Sequence, residues 1–310
     1  MKIKIPASTS NLGPGFDTLG LALNRYLEIS GEVVETNQLH ADQTESENSP
    51  EIVVKGNGAE HIARDKANLV YQGMLAVAQH IGAVLPSIKI LLNNGIPSCG
   101  GLGGSGAAIS GGVFLANEIL KAKLLRDEML NIAVKIEGHP DNVSAALMGG
   151  LTINCFDNGA VRCRSVKIGA PLSVVACSPH FQVLTKQARQ ILPKDILLKD
   201  AVRNIENVAS LVAAFIHGDI EALRYSTEDA LHERYRASLI PGFDDVKKAA
   251  LDAGAISFNI SGAGPTVFCF TVSNENEIGK AMVKAFATHK SEASYEVMNI
   301  ENEGARVITE

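Results

Sequence analysis

Seven glycines crowd the last thirteen positions of Pro97-Ser98-Cys99-Gly100-Gly101-Leu102-Gly103-Gly104-Ser105-Gly106-Ala107-Ala108-Ile109-Ser110-Gly111-Gly112. Backbone free of side chains can turn consecutive N–H groups toward one small anion. Apolar residues follow at once, Ala107-Ala108-Ile109 and then Val113-Phe114-Leu115, and predict a helix that starts near Ser105. The unpaired N–H groups and positive dipole end of such a helix suit a phosphate. A linker or a tightly packed turn is the bland alternative. Against the linker stands the apolar stretch Ile88-Lys89-Ile90-Leu91-Leu92 just before the loop.

Two further clusters carry polar chemistry. Glu137-Gly138-His139-Pro140-Asp141-Asn142 packs two carboxylates, an imidazole and an amide between apolar helical runs. Asn11-Leu12-Gly13-Pro14-Gly15-Phe16-Asp17 offers an amide and a carboxylate on a sharply turned path. Caps and turns are their structural explanation. Arg236 can hold a carboxylate by a bidentate pair, or stand as an ordinary exposed arginine. Ser261-Gly262-Ala263-Gly264-Pro265 is a second glycine turn that can bring backbone near a ligand. Cys99 is a reactive thiol or, more simply, a small filler.

The elements that must position these groups follow from periodicity and turn signals. Strands are expected at 2–5, 19–23, 26–34, 52–54 and 87–92, with a loop at Pro6 to Asp17. Residues 40–50 read as an exposed polar hairpin loop. Helices are expected at 69–81, from Ser105 to about 122, at 125–136 and at 143–147. A hairpin pairs 151–156 with 161–166 around Asp157-Asn158-Gly159. A new segment starts near Leu172 with a buried strand at 173–177. Thr185 to Arg189 opens a short turn or helix. Helices follow at 199–216, 219–230, 243–253 and 276–288, and strands at 255–260, 266–270 and 294–299. The β-α-β-β-α-β order of this half predicts an antiparallel, ferredoxin-like sheet under helices.

Composition narrows the function classes. The chain has 310 residues, 46% apolar and 20% charged, which describes a globular protein of one or two domains. No run of about eighteen apolar residues argues for a membrane span. Met1-Lys2-Ile3-Lys4-Ile5-Pro6 has no signal-peptide character. The five cysteines are scattered without metal spacing, which points to reduced thiols and a cytoplasmic location. A net charge of −6 without a basic block disfavours nucleic acid as a partner.

The glycine loop lacks the Lys-Ser/Thr pair of a Walker motif. Gly101, Gly103 and Gly106 match a dinucleotide fingerprint only loosely, and lysines stand where its acidic ribose partner belongs. Phosphoryl transfer fits better, because it needs a phosphate cradle, a magnesium site and a held acceptor. Ser105 and Glu137 are the evident magnesium pair.

With these stretches the chain resembles the GHMP kinases, the superfamily of galactokinase, homoserine kinase, mevalonate kinase and phosphomevalonate kinase. The glycine loop is similar to the family motif P-x-x-x-G-L-G-S-S-A-A, and residues 261–266 resemble its third motif. The first loop, Glu137 to Asn142, Arg234-Tyr235-Arg236 and Leu239 to Phe243 resemble the homoserine-phosphorylating branch. The likeness runs from residue 3 to about 300. It departs at Gly104 and Gly106, where the family has serine and alanine; nucleotide affinity is the property expected to change.

The resemblance implies an α+β, two-domain GHMP kinase fold. Residues 1–168 would form an ATP-binding domain like domain 2 of ribosomal protein S5, and residues 169–310 a ferredoxin-like domain. It implies ATP and Mg²⁺ as cofactors and L-homoserine as substrate, with a homodimer as one candidate assembly. Pro97, Ser98, Gly100, Gly101, Leu102, Gly103, Gly104, Ser105, Gly106 and Ala107 would wrap the phosphates. Asn68 would touch the adenine, and Ser105 and Glu137 would hold the metal. Asn11, Asp17, His139, Asn142, Thr185, Arg189, Arg236 and Gly262 would surround the amino acid. Asn142 stands where other members carry an aspartate base. Its amide takes no proton at neutral pH, so catalysis would rest on positioning and charge neutralisation. Asp141 is the rival base. Another small-alcohol kinase, acting on mevalonate, shikimate or a sugar, and a non-catalytic nucleotide-binding protein are the alternatives.

Overall fold

The computed structural model describes residues 1–34, 50–98 and 100–308. Most of the expected 40–50 hairpin and Cys99 lie outside the described residues. The first half runs β1 (Lys2–Ser10), β2 (Leu19–Val33), β3 (Glu51–Gly56), α1 (Leu69–His80), β4 (Ile88–Asn94), α2 (Gly104–Ile119), α3 (Arg126–Glu137), α4 (Asp141–Met148), β5 (Leu151–Asp157) and β6 (Ala160–Val166). The second runs β7 (Ser173–Pro179), α5 (Thr185–Gln190), α6 (Leu198–His217), α7 (Ile220–Ser226), α8 (Glu233–Arg236), α9 (Phe243–Asp252), β8 (Asn259–Ile260), β9 (Val267–Thr271), α10 (Glu275–Thr288), β10 (Ala293–Asn299) and β11 (Arg306–Val307).

The first sheet has the order β11-β1-β2-β4-β3, with β5 and β6 attached beside β2. Strand β2 divides it: Leu27 to Val33 pair with β4, and Leu19 to Leu21 pair with β5. The second sheet is antiparallel, in the order β10-β7-β9-β8. Along β7, Val174 and Ala176 join one core and Val175 and Cys177 another. Alternate side chains point to opposite faces, so a strand buried on both sides reads as a continuous apolar run. The larger core unites both sheets, from Ile3 and Ile29 to Phe268 and Met298. The smaller one lies between the second sheet and α9 and α10, through Val246 and Phe286.

Several expected boundaries move. β1 does not stop before Pro6. The register shifts between Pro6 and Ala7, and the strand goes on to Ser10. A bulge spares the missing proline N–H from a ladder position. β2 likewise continues through Asn24 and Arg25. The expected helix over 219–230 ends at Ser226, because the Asp229 carboxylate accepts the N–H groups of Leu231, His232 and Glu233 and starts a new turn. The expected strand over 255–260 shrinks to Asn259–Ile260. After β10 the chain leaves the second sheet: Glu301 N–H donates to Ala22 O, and β11 pairs with β1.

The glycine-rich stretch divides by function. Gly111 and Gly112 are packing residues within α2, since an added Cβ would lie 2.4 Å from Ile29 Cδ1 and 2.0 Å from Val70 O respectively. Gly104 faces open space. Gly112→Ala is therefore expected to lower the unfolding free energy by about 1–3 kcal/mol through forced separation of α1 and α2. Gly104→Ala should leave it unchanged or slightly higher, as alanine is the better helix former. Urea unfolding of both variants checks the contrast; equal effects would mean that α1 and α2 do not meet as described.

Candidate active site

A cavity of about 570 Å³ opens between the loops of the two sheets. One end of it is built from Gly100 to Ser105. Gly100, Gly101 and Gly103 have φ of 86°, 88° and 69°. A Cβ on Gly101 would meet Ser261 O at 2.8 Å, and one on Gly103 would meet Ser8 Oγ at 2.0 Å. Three successive carbonyls of the loop are tied to the protein. Thr266 Oγ1 donates to Gly100 O, Ser261 Oγ to Gly101 O and Ser8 N–H to Leu102 O. Ala107 N–H bonds to Gly103 O within the helix. The N–H groups of Gly104, Ser105 and Gly106 have no acceptor among the described residues, and Gly104 and Ser105 line the cavity at the N-terminal end of α2. Ala107, expected among the phosphate-wrapping residues, is fully buried with its N–H spent. Gly106 does not line the cavity; its missing Cβ lets α2 approach Asn142 Cβ, which a substituent would meet at 2.9 Å.

Ser105 Oγ lies 2.5 and 2.6 Å from the two carboxylate oxygens of Glu137, which α3 delivers at its C-terminus. A hydroxyl and a carboxylate beside a phosphate cradle form a donor set that suits Mg²⁺, which takes most of its ligands from phosphate and water. Among the described residues no cluster of three or more His, Cys, Asp or Glu offers a fuller cage. Asn68, expected at the adenine, lines the cavity but caps α1. Its Oδ1 accepts from Val70 and Tyr71 N–H, and its Nδ2 donates to Ala63 O at 2.6 Å. Pro97 and Ser98 line the same end.

At the far side of the loop, Asn142 is immobilised. Its Oδ1 accepts from Ser8 Oγ at 2.9 Å and its Nδ2 donates to Ser10 Oγ at 3.2 Å. Asp141 is buried beside it, and its Oδ1 meets His139 Nδ1 and Asn142 N–H, both at 2.8 Å. Burial lowers the His139 pKa, but the bond to Asp141 and the charges of Asp141 and Glu137 outweigh it and leave it raised.

Another part of the cavity wall carries charges of both signs. Asp17 and Arg189 make a bidentate pair at 2.8 and 2.9 Å, and that bond is the main reason the Arg189 pKa is raised. Asn11, expected to touch substrate, works on the backbone: its Oδ1 accepts from Asp17 N–H and its Nδ2 donates to Gly262 O. Arg236 is 2% exposed and donates to Gly262 O at 2.8 Å and Ala188 O at 3.2 Å. Burial, then repulsion from Arg189, lowers its pKa. Thr185 opens α5 at the cavity wall.

Sequence reasoning missed four side chains here. Ser8 and Ser10 hold Asn142; the alternation of a strand extended to Ser10 would have found them. Phe16 stacks on His232 at 5.1 Å and lies under the Arg236 guanidinium at 5.0 Å. His232 lies against Gly13 O at 2.9 Å and Arg236 at 3.4 Å, and burial lowers its pKa. Nothing in the local pattern marks Phe16 or His232, because their partners lie on distant segments.

Comparison with known proteins agrees with this geometry. Residues 68–150 match the GHMP kinases N terminal domain, and residues 211–288 match GHMP kinases C terminal. The chain is 41% identical over 302 residues to a homoserine kinase of Halothermothrix orenii, covering 97% of this chain and 94% of that one. It is 38% identical over 309 residues to a homoserine kinase of Desulfitobacterium hafniense, covering 99% and 100%. The crystal structure of homoserine kinase from Cytophaga hutchinsonii superposes with a TM-score of 0.85 at 32% identity, over 99% and 97% of the two chains. Matches on both sides of the cavity, and relatives alike over nearly their whole length, establish that the chain belongs to the GHMP kinases.

Proposed function

We propose that this protein transfers the γ-phosphoryl group of ATP to the hydroxyl of L-homoserine, giving O-phospho-L-homoserine for threonine synthesis. The observation that carries the substrate is one carboxylate, Asp17, and two guanidiniums, Arg189 in a bidentate pair with it and Arg236 held by backbone carbonyls, on the same cavity as the glycine loop. An amino acid has one cation and one anion to match them; mevalonate, shikimate and sugars have no ammonium for Asp17. The relatives' names point to the same acceptor.

In this reading the N–H groups of Gly104 and Ser105 receive phosphate oxygens, and Ser105 and Glu137 hold Mg²⁺. The metal would supply charge neutralisation as the phosphoryl group moves. His139 and Thr185 flank the amino acid, and the Gly262 carbonyl, tied by Asn11 and Arg236, keeps the floor of the pocket fixed. Asn142 carries no proton-accepting group, and its amide is already engaged by Ser8 and Ser10. The hydroxyl proton therefore passes to a phosphate oxygen, with Asn142 orienting groups rather than taking the proton. Asp141 orients His139 and the Asn142 backbone.

We also propose the division at residues 168 and 169, between β6 and β7, with the tail from residue 300 completing the first sheet. The β10-β7-β9-β8 order supports a ferredoxin-like second domain, and the first domain is read as S5-domain-2-like by family resemblance. No described helix is long and apolar enough to cross a membrane. The four described cysteines are free thiols, which supports a cytoplasmic location. A homodimer is supported by α6, whose exposed face carries Leu198, Val202, Ile205, Ala209 and Ile216, with Val212 half-buried. These positions mirror one another about Asn207, so two antiparallel copies would set Leu198 on Ile216 and Val202 on Val212.

Three outcomes are expected. ADP release with Mg-ATP should appear with L-homoserine and not with mevalonate, shikimate, galactose or L-threonine; turnover on another alcohol alone would discard the acceptor assignment. Asp141→Asn should raise KM for homoserine more than it lowers kcat. A collapse of kcat by about a thousandfold with both affinities intact would instead make Asp141 the base. Sedimentation should show a dimer that Ile205→Asp converts to monomer; a monomeric wild-type chain would remove the α6 assembly.

A further inference from the structure

The Asp17–Arg189 pair sits where both members are expected to meet the substrate. Each is about one-third exposed, at 34% and 38% of its side chain, and both line the cavity. Arg236, the other cation of the pocket, is fixed differently: it is buried and held by two backbone carbonyls. The site thus contains one locked cation and one cation that spends its charge on the carboxylate meant for the ligand. Exposed ion pairs are weak and solvent-screened, so such a pair opens readily when a better partner for each half arrives.

We propose that Asp17 and Arg189 form an exchangeable ion pair that a zwitterion opens by replacing both halves at once, and that the pair thereby selects against acceptors carrying a single charge. The inference rests on the homoserine reading above. An ammonium alone takes Asp17 and strands Arg189 without its counter-ion. A carboxylate alone takes Arg189 and strands Asp17. A zwitterion leaves two ion pairs where there was one. Selection comes from the counter-ion left behind as well as from the pairs formed with the ligand. The φ of Asp17, 52°, and the hold of Asn11 Oδ1 on its N–H keep the carboxylate aimed at the pocket while its partner changes. Arg189 lies near the end of α5, a six-residue helix whose Ala188 carbonyl is anchored by Arg236. Side-chain motion of Arg189 therefore suffices for the exchange.

The test uses two fragments of homoserine. 3-Aminopropan-1-ol keeps the hydroxyl and the ammonium; 4-hydroxybutanoate keeps the hydroxyl and the carboxylate. Their dissociation constants, with that of L-homoserine, are measured by ligand-observed NMR on the wild-type chain, Arg189→Gln and Asp17→Asn. Both variants should bind L-homoserine more weakly. Arg189→Gln should bind 3-aminopropan-1-ol about two- to fivefold more tightly than wild type, because Asp17 no longer has to release a partner. Asp17→Asn should do the same for 4-hydroxybutanoate. If either fragment binds its matching variant no better than wild type, the exchange is wrong and the pair merely holds α5 in place. Wild-type turnover of L-homoserine is measured alongside. Its absence would refute the function; its presence without the crossed tightening would refute the exchange alone.

Discussion

The site depends on the polarity of one short piece of backbone. A glycine loop has as many carbonyls as N–H groups, and unless the carbonyls are turned away the loop repels the anion it should bind. Here Gly100, Gly101 and Leu102 each give their oxygen to a donor elsewhere in the chain, and the N–H groups that follow are left facing the cavity. Two of those donors, Ser261 and Thr266, come from the second glycine turn. The phosphate cradle is therefore made jointly by both sheets, although every atom that would touch phosphate belongs to the first. Ser8 extends the same logic: its N–H ties the loop and its hydroxyl ties Asn142, so the loop and the Asn142 amide are fixed by one residue.

A second consequence of crowding is that several polar residues lining the cavity are also bonded to the protein around it. Asn11 shapes the turn that aims Asp17, Asn68 caps the helix beside the cavity, and Asp141 orients His139 and the backbone of Asn142. Each line of contact still ends in the same 570 Å³ space. In the proposed reaction few side chains would meet the reacting groups directly: the Ser105–Glu137 pair, His139, Thr185 and the charged residues Asp17, Arg189 and Arg236. That economy fits a reaction in which the protein contributes placement and fixed charge and carries no covalent intermediate.

The legible parts of the sequence were those with local signals. The glycine loop, the helix after it, the Asp157-Asn158-Gly159 hairpin and the β-α-β-β-α-β order of the second half all follow from turn chemistry and periodicity. Placing Asp17, His139, Arg189 and Arg236 around one pocket required family resemblance, because they come from four separate segments. What stayed hidden was tertiary. Pro6 looked like a strand end until a bulge absorbed it. Gly111 and Gly112 fall inside the expected helix, but the sequence did not show that Ile29 and Val70 pack against them. Asn11 carried both a turn-making and a ligand-touching interpretation, Asn68 only the second, and the bonds that their amides make to the protein were not legible in the sequence.

The return of residues 300 to 307 to the first sheet bears on how the protein is made. Strand β1 begins at Lys2, yet its outer neighbour, β11, is Arg306–Val307. During synthesis from the N-terminus, that edge of β1 has to wait until Arg306 and Val307 have been made before it is covered. A partly made chain carries an open strand edge, the kind of surface on which nascent chains stick to one another. The second sheet, whose strands lie between residues 173 and 299, has no such delay. Its completion brings the tail back, so the half synthesised first is the half whose sheet closes last.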